Sequence, residues 1–128
     1  MRGKKVILYF YPKDDTPGCT IEGNDFNRLL PDFTALNAYV FGISRDSVES
    51  HCKFIGKFGF NFELLSDDQE IMCKLFDVIK EKNMYGQIKL GIERSTFIIN
   101  ENQKLIGEFR KVKADDHAVA MLNFLKSL

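Results

Sequence analysis

The sequence predicts an α/β domain, a central mixed β-sheet flanked by helices. Short β-prone apolar runs alternate with segments of helical periodicity over most of the chain, which is the pattern of a layered α/β fold. Two further strand-like runs, RSTFIIN and KLIGEF, are separated only by Glu101-Asn102-Gln103, so an antiparallel hairpin joins the sheet at one side. A length of 128 residues with 45% hydrophobic side chains is enough for one core. Residues 1–128 therefore read as one domain, with no internal repeat, low-complexity tract or linker.

Lys5 to Tyr11 is a continuous β-prone run, the mark of a central strand buried on both faces. Pro12 to Gly18, with its prolines, aspartates and glycine, is a turn. From Thr20 the spacing of Phe26, Leu29, Leu30 and Phe33 is helical, and Pro31 inside it predicts a kink or break because it removes a backbone donor. Ala38 to Ser44 is a second buried strand. Asp46 or Ser47, with Ser50 a weaker alternative, caps a helix that carries Val48, Cys52 and Ile55 on one stripe and ends at Gly59. Phe62 to Leu65 is a short strand, and Asp67 or Asp68 caps a helix through about Phe76. The polar segment KEKNMYGQIKLG reads as a surface loop. Arg94 to Asn100 and Lys104 to Phe109 form the hairpin, and Asp115 or Asp116 caps a final amphipathic helix. The expected order is β-α-β-α-β-α-β-β-α.

Eighteen basic and eighteen acidic side chains cancel, so no global field draws the chain to nucleic acid or to an anionic membrane. No apolar run is long enough to cross a bilayer, and the opening MRGKKVIL lacks the cleavage pattern of a signal peptide. Three cysteines at irregular spacing do not make a secreted disulfide framework. The expectation is a cytoplasmic protein with reduced thiols.

One of those thiols stands where a reactive group belongs. Ligands of such sheets bind beyond the carboxyl ends of the parallel strands, and Cys19 falls just past the first strand, where a turn enters a helix. A helix N-terminus presents unpaired N–H groups and partial positive charge, which favour a thiolate. Thr16 can aim a hydroxyl at the same point, and Pro12 removes a donor and can shield the sulfur.

Pro12-x-x-x-Thr16-x-x-Cys19 resembles the active-site signature of the peroxiredoxins, thiol peroxidases with a thioredoxin-like fold. With YFYPKDDTPGCTIEGNDF, GISRDSVESH, LLSDDQEIMCKLFDVIKEKNMYG and GIERSTFIIN in order, the chain resembles the bacterioferritin-comigratory, or peroxiredoxin Q, branch over nearly its whole length. The resemblance implies an AhpC/TSA-type domain in which Cys19 attacks the O–O bond of a hydroperoxide. It implies that Thr16 hydrogen-bonds thiolate and peroxide, that Pro12 limits solvent, and that Arg94 stabilises the thiolate and the charge on the leaving oxygen. Glu22, in the first helical turn, is placed to hold Arg94. It further implies a sulfenic acid on Cys19, thioredoxin as reductant with glutathione or glutaredoxin as alternatives, no metal, haem or flavin, and a monomer. The rival reading is a redox sensor or binding module that keeps the fold without turnover.

The chain departs from the branch in two places. Many members carry a resolving cysteine five residues after the peroxidatic one, and here that position is Asn24. Others place it in the helix after the next strand, where this chain has Cys52, about a turn before the slot that holds Ile55. Cys52 is thus a candidate resolving cysteine and equally a core residue; a bridge to Cys19 needs Cα atoms within about 7 Å, so the first turn after Cys19 would have to unwind. Cys73 reads as a core residue. Family members also begin with a hairpin and strand ahead of the segment that starts here at Lys4, and that hairpin is expected to be missing. Other chemistries find no support: a phosphatase loop would need arginine where Asp25 stands, and Glu22 breaks a C-x-x-C. His51 and His117 lack zinc-ligand spacing and read as surface or capping residues, while Asp14, Asp15, Asp67 and Asp68 read as turn and cap residues.

Overall fold

The structure, a computed structural model, describes residues 3–128. The most continuous apolar run, Lys5–Phe10, forms β1 at the centre of a five-stranded sheet. It pairs in parallel with β2 (Ala38–Ser44) and antiparallel with β6 (Ser95–Ile99). β3 (Glu63–Ser66) extends the parallel side and β7 (Leu105–Phe109) the antiparallel side, giving the order β3-β2-β1-β6-β7. The expected mixed sheet with helices on its faces is what forms.

The two-residue period of β1 divides the core. Ile7, Tyr9 and Tyr11 point to one face. They pack there with residues of α1 (Pro17–Arg28), α2 (Leu30–Ala35), α3 (Val48–Phe58) and α5 (His117–Lys126). Tyr9 stacks on Phe26 with ring centroids 4.6 Å apart. Leu8 and Phe10 face the other way, against Phe97, Val78 and Cys73 of α4 (Ile71–Leu75). Each such fully buried side chain contributes about 1.5–3 kcal/mol. No helix among the described residues is long and apolar enough to cross a membrane.

Several boundaries move. The turn after β1 is shorter than expected because α1 begins at Pro17, whose missing N–H costs nothing at a first helical position. Pro31 does break the helix, at Leu29 between α1 and α2. Ser47 caps α3 by accepting from the Ser50 amide at 3.1 Å, and Gly59 ends it at φ 70°. The buried stripe of α3, however, is His51 and Phe54, whereas Val48 is 68% exposed and Cys52 is exposed. A polar residue satisfied by hydrogen bonds occupies the inner face, so reading apolar residues alone rotates the helix. Asp67 caps the short α4 from a distance, its carboxylate accepting from the amides of Met72 (3.0 Å) and Cys73 (2.7 Å).

The largest correction concerns the segment read as a surface loop. It is a hairpin of β4 (Ile79–Met84) and β5 (Gln87–Ile92), closed by Tyr85-Gly86 with both residues at positive φ, 54° and 78°. β4 carries the polar run KEKN, and although Ile88, Leu90 and Ile92 alternate along β5, Ile88 and Leu90 face solvent; Tyr-Gly is also a weaker turn signal than Asn-Gly. Ile79 opposite Ile92 anchors the hairpin to the second half of the core.

Candidate active site

Strand register builds the site. Phe10 pairs with Ser95, so Arg94, the residue before β6, lies beside the segment that leaves β1 at Tyr11. That segment passes Pro12 and reaches Thr16, extended at φ −94° and ψ 157°, whose carbonyl accepts the first helical hydrogen bond, from the Thr20 amide at 2.8 Å. Cys19 follows as the third residue of α1, within the turn whose N–H groups have no helical partner. A Cβ on Gly18 would lie 3.1 Å from the Arg94 guanidinium, so glycine there allows the cation its close approach.

Arg94 bridges two groups of α1. Its Nη1 donates to Glu22 Oε1 at 2.6 Å and its Nη2 to Cys19 Sγ at 3.5 Å. Cys19 is 2% exposed and Glu22 fully buried. The second carboxylate oxygen of Glu22 has no hydrogen-bond partner among the described residues. Burial pushes the Glu22 carboxyl up to about 7 against the charge and hydrogen bond of Arg94. Burial likewise works against the Arg94 charge, but Glu22 and Cys19 outweigh it and hold Arg94 above its ordinary value. The guanidinium stays charged, a fixed fork aimed at sulfur and carboxylate.

Pro12, Thr16, Cys19 and Arg94 all line one open cavity of about 530 Å³. Thr16 spends its hydroxyl hydrogen on the Lys13 carbonyl at 2.8 Å, not on the sulfur, which leaves its oxygen as an acceptor toward the cavity. The opposite wall comes from the β4–β5 hairpin, through Lys82, Leu90 and Ile92. That wall is missing from the sequence reading. Lys82 is held below the ordinary lysine value by burial and by the Arg94 charge, and its stem passes over Gly91, where a Cβ would lie 3.2 Å from Lys82 Cδ. Nothing in the run KEK marks Lys82 out in advance.

The other thiols divide as their surroundings dictate. All three cysteines are free. Cys73 is fully buried, and burial with the nearby Asp67 pushes its thiol up to about 12, so it is inert. Cys52 is exposed on α3 and packs in no core, which removes that alternative. Both histidines are buried, contrary to the surface or capping role expected. His117 Nε2 lies 2.7 Å from the Thr96 hydroxyl, and burial with the Arg94 charge pushes it down to about 4, so it is neutral. Asp14 is no ordinary turn residue either: it is buried among hydrogen-bond donors.

This arrangement has relatives. The model of the AhpC/TSA family matches residues 1–107. The chain belongs to the AhpC/TSA family. It is 55% identical to peroxiredoxin Bcp of Xanthomonas campestris over 125 residues, 98% of this chain and 78% of that protein. With peroxiredoxin Bcp of Bacillus subtilis it shares 47% over 127 residues, 99% of this chain and 81% of the other. A solved structure of the Xanthomonas campestris bacterioferritin comigratory protein, from work on its alkyl peroxide reduction and its trapped intermediate and ligand complexes, superposes with a TM-score of 0.93 at 54% identity. That match covers 98% of this chain and 80% of that one. The fold is thioredoxin-like, and the AhpC/TSA chain is a peroxiredoxin of the Bcp branch, a thiol peroxidase.

Proposed function

We propose that Cys19 is the peroxidatic thiol, reducing hydrogen peroxide and organic hydroperoxides in the cavity that it shares with Pro12, Thr16 and Arg94. The carrying observation is the Arg94 guanidinium, held by Glu22 at 2.6 Å with its other arm 3.5 Å from the sulfur. The Cys19 thiolate attacks the terminal peroxide oxygen. An S–O bond forms, the O–O bond breaks, and the departing alkoxide or hydroxide takes a proton to leave as alcohol or water. Arg94 stabilises the negative charge as it moves from sulfur to the leaving oxygen, the kind of preorganised contribution that commonly dominates catalysis. Pro12 keeps water from the sulfur, and the Thr16 hydroxyl oxygen accepts a hydrogen bond from the hydroperoxide proton. An alkyl substrate fits the aliphatic wall of Leu90 and Ile92, and alkyl peroxide reduction is the activity described for the Xanthomonas campestris relative.

The sulfenic acid on Cys19 then condenses with a second thiol to give a disulfide and water. Cys52 is that thiol in our reading, because it is the exposed one. The resulting disulfide is reduced by thioredoxin; if Cys52 takes no part, glutathione or glutaredoxin meets Cys19 directly. Residues 1–128 act as one domain, monomeric and in the reducing cytoplasm. Steady NADPH consumption with thioredoxin, thioredoxin reductase and peroxide tests the cycle. Turnover that disappears in Cys19→Ser supports it, and a single oxidation without recycling indicates a sensor.

A further inference from the structure

Asp14 sits in the middle of the loop that carries Pro12 and Thr16, and its buried carboxylate accepts three hydrogen bonds. They come from the Tyr11 hydroxyl (2.6 Å), the Ser50 hydroxyl (2.7 Å) and the His51 Nδ1 (2.7 Å). The other ring nitrogen of His51, Nε2, lies 3.1 Å from the Leu65 carbonyl oxygen. A carboxylate and a carbonyl only accept, so both ring nitrogens must carry hydrogen and His51 is an imidazolium. It is 2% exposed. Burial works against this charge, but the hydrogen bond and charge of Asp14, the Leu65 carbonyl and the charge of Asp46 outweigh it and raise His51 above its ordinary value. Burial would also raise Asp14, yet its bonds to His51, Tyr11 and Ser50 hold it below the usual carboxylate range.

The groups facing the ring come from several elements: the Tyr11 hydroxyl from the end of β1, 3.4 Å from Nδ1, Asp14 from the loop, Asp46 from the β2–α3 connection and the Leu65 carbonyl from β3, while Ser50 of α3 holds Asp14. The loop is tied to the same frame twice more. The Asp14 amide donates to Asp46 Oδ2 at 2.9 Å, and Asp15, at φ 56°, pairs with Lys57 of α3 at 2.8 Å.

We propose that His51, as an imidazolium, is a positioning residue for the peroxidase reaction: it pins Asp14 to α3 and β3 and so holds Pro12 and Thr16 around Cys19. This rests on the reading of Cys19 as the reacting thiol. If His51 loses its proton, one ring nitrogen turns a lone pair toward an acceptor, and the Asp14 carboxylate is left buried without a countercharge. The clamp is whole below the ordinary histidine value of 6.5 and is lost as pH rises through the raised folded value. On the acid side it persists until pH falls through the lowered Asp14 value.

The test is stopped-flow oxidation of Cys19 by hydrogen peroxide across the neutral and alkaline range, set beside an NMR titration of the His51 ring. The wild-type rate constant is expected to fall about tenfold as the ring deprotonates, the size expected when reacting groups are modestly misplaced. His51→Gln, permanently neutral, should show the reduced rate throughout and lack that fall; Asp14→Asn should behave alike. Since Lys82 shares the cavity, a fall that persists unchanged in His51→Gln overturns the proposal. A ring that is neutral at neutral pH, or a rate indifferent to its titration, overturns it without any variant. Failure of Cys19 to react with peroxide at all would instead overturn the reading of Cys19, and with it this role.

Discussion

Glu22→Gln removes a fully buried charge while keeping its shape and the carbonyl that accepts from Arg94. In the folded protein the Glu22 carboxyl is pushed up to about 7 from an ordinary 4.5, chiefly by burial that leaves one of its oxygens without a donor among the described residues. The folded state therefore holds this proton more tightly than the unfolded chain does. Stability from the group is greatest in acid, declines as pH rises from the unfolded value, and is fully lost above the folded one. The gap between about 7 and 4.5, at about 1.4 kcal/mol per pH unit, is on the order of 3 kcal/mol. Urea denaturation at a series of pH values should show that decline in the wild type and not in Glu22→Gln. The variant should also oxidise about tenfold more slowly at Cys19, because a neutral amide orients the guanidinium less firmly than a carboxylate. Stability curves that run parallel through this range would refute the placement of the charge, and equal rates would refute its role in aiming Arg94.

Arg94→Ala should slow the peroxide step by about 10²-fold or more, if the guanidinium acts as an oxyanion donor does; stopped-flow fluorescence or competition with a known peroxidase reads this. Cys52→Ser should leave the rate of Cys19 oxidation unchanged and abolish the intramolecular disulfide, seen by mass spectrometry of the peroxide-treated protein. Gly23→Ala should destabilise by about 1–3 kcal/mol through overpacking, with a helix-propensity gain of up to about 1 kcal/mol set against it. Its new Cβ would lie 2.6 Å from the Phe60 ring, and Phe60 is wedged among Phe54, Phe58 and Phe62; urea midpoints measure the difference.

The parts of this molecule that sequence reveals are those where local chemistry and tertiary packing agree. The apolar run of β1, the Pro31 break and the Gly59 stop each impose their structure locally, and all three appear where expected. Cys19, Arg94 and Glu22, distant along the chain, meet because antiparallel pairing of β1 with β6 brings the start of one strand to the end of the other. The β4–β5 hairpin is harder to read, because β4 carries the polar run KEKN and the apolar residues Ile88 and Leu90 of β5 face solvent, so the cavity wall bearing Lys82 is not evident from sequence either. His51 and Asp14 were misplaced for a related reason. Each is polar, and only the partner supplied by another element shows that it belongs inside.

The most direct test of the account is to treat the reduced protein with one equivalent of hydroperoxide, trap sulfenic acid with dimedone, and map every cysteine by mass spectrometry. The account predicts that the first oxidation falls on Cys19, as a trapped adduct or as a disulfide that includes it, with Cys73 untouched. Oxidation that begins at Cys52 or Cys73 while Cys19 remains a free thiol would contradict it.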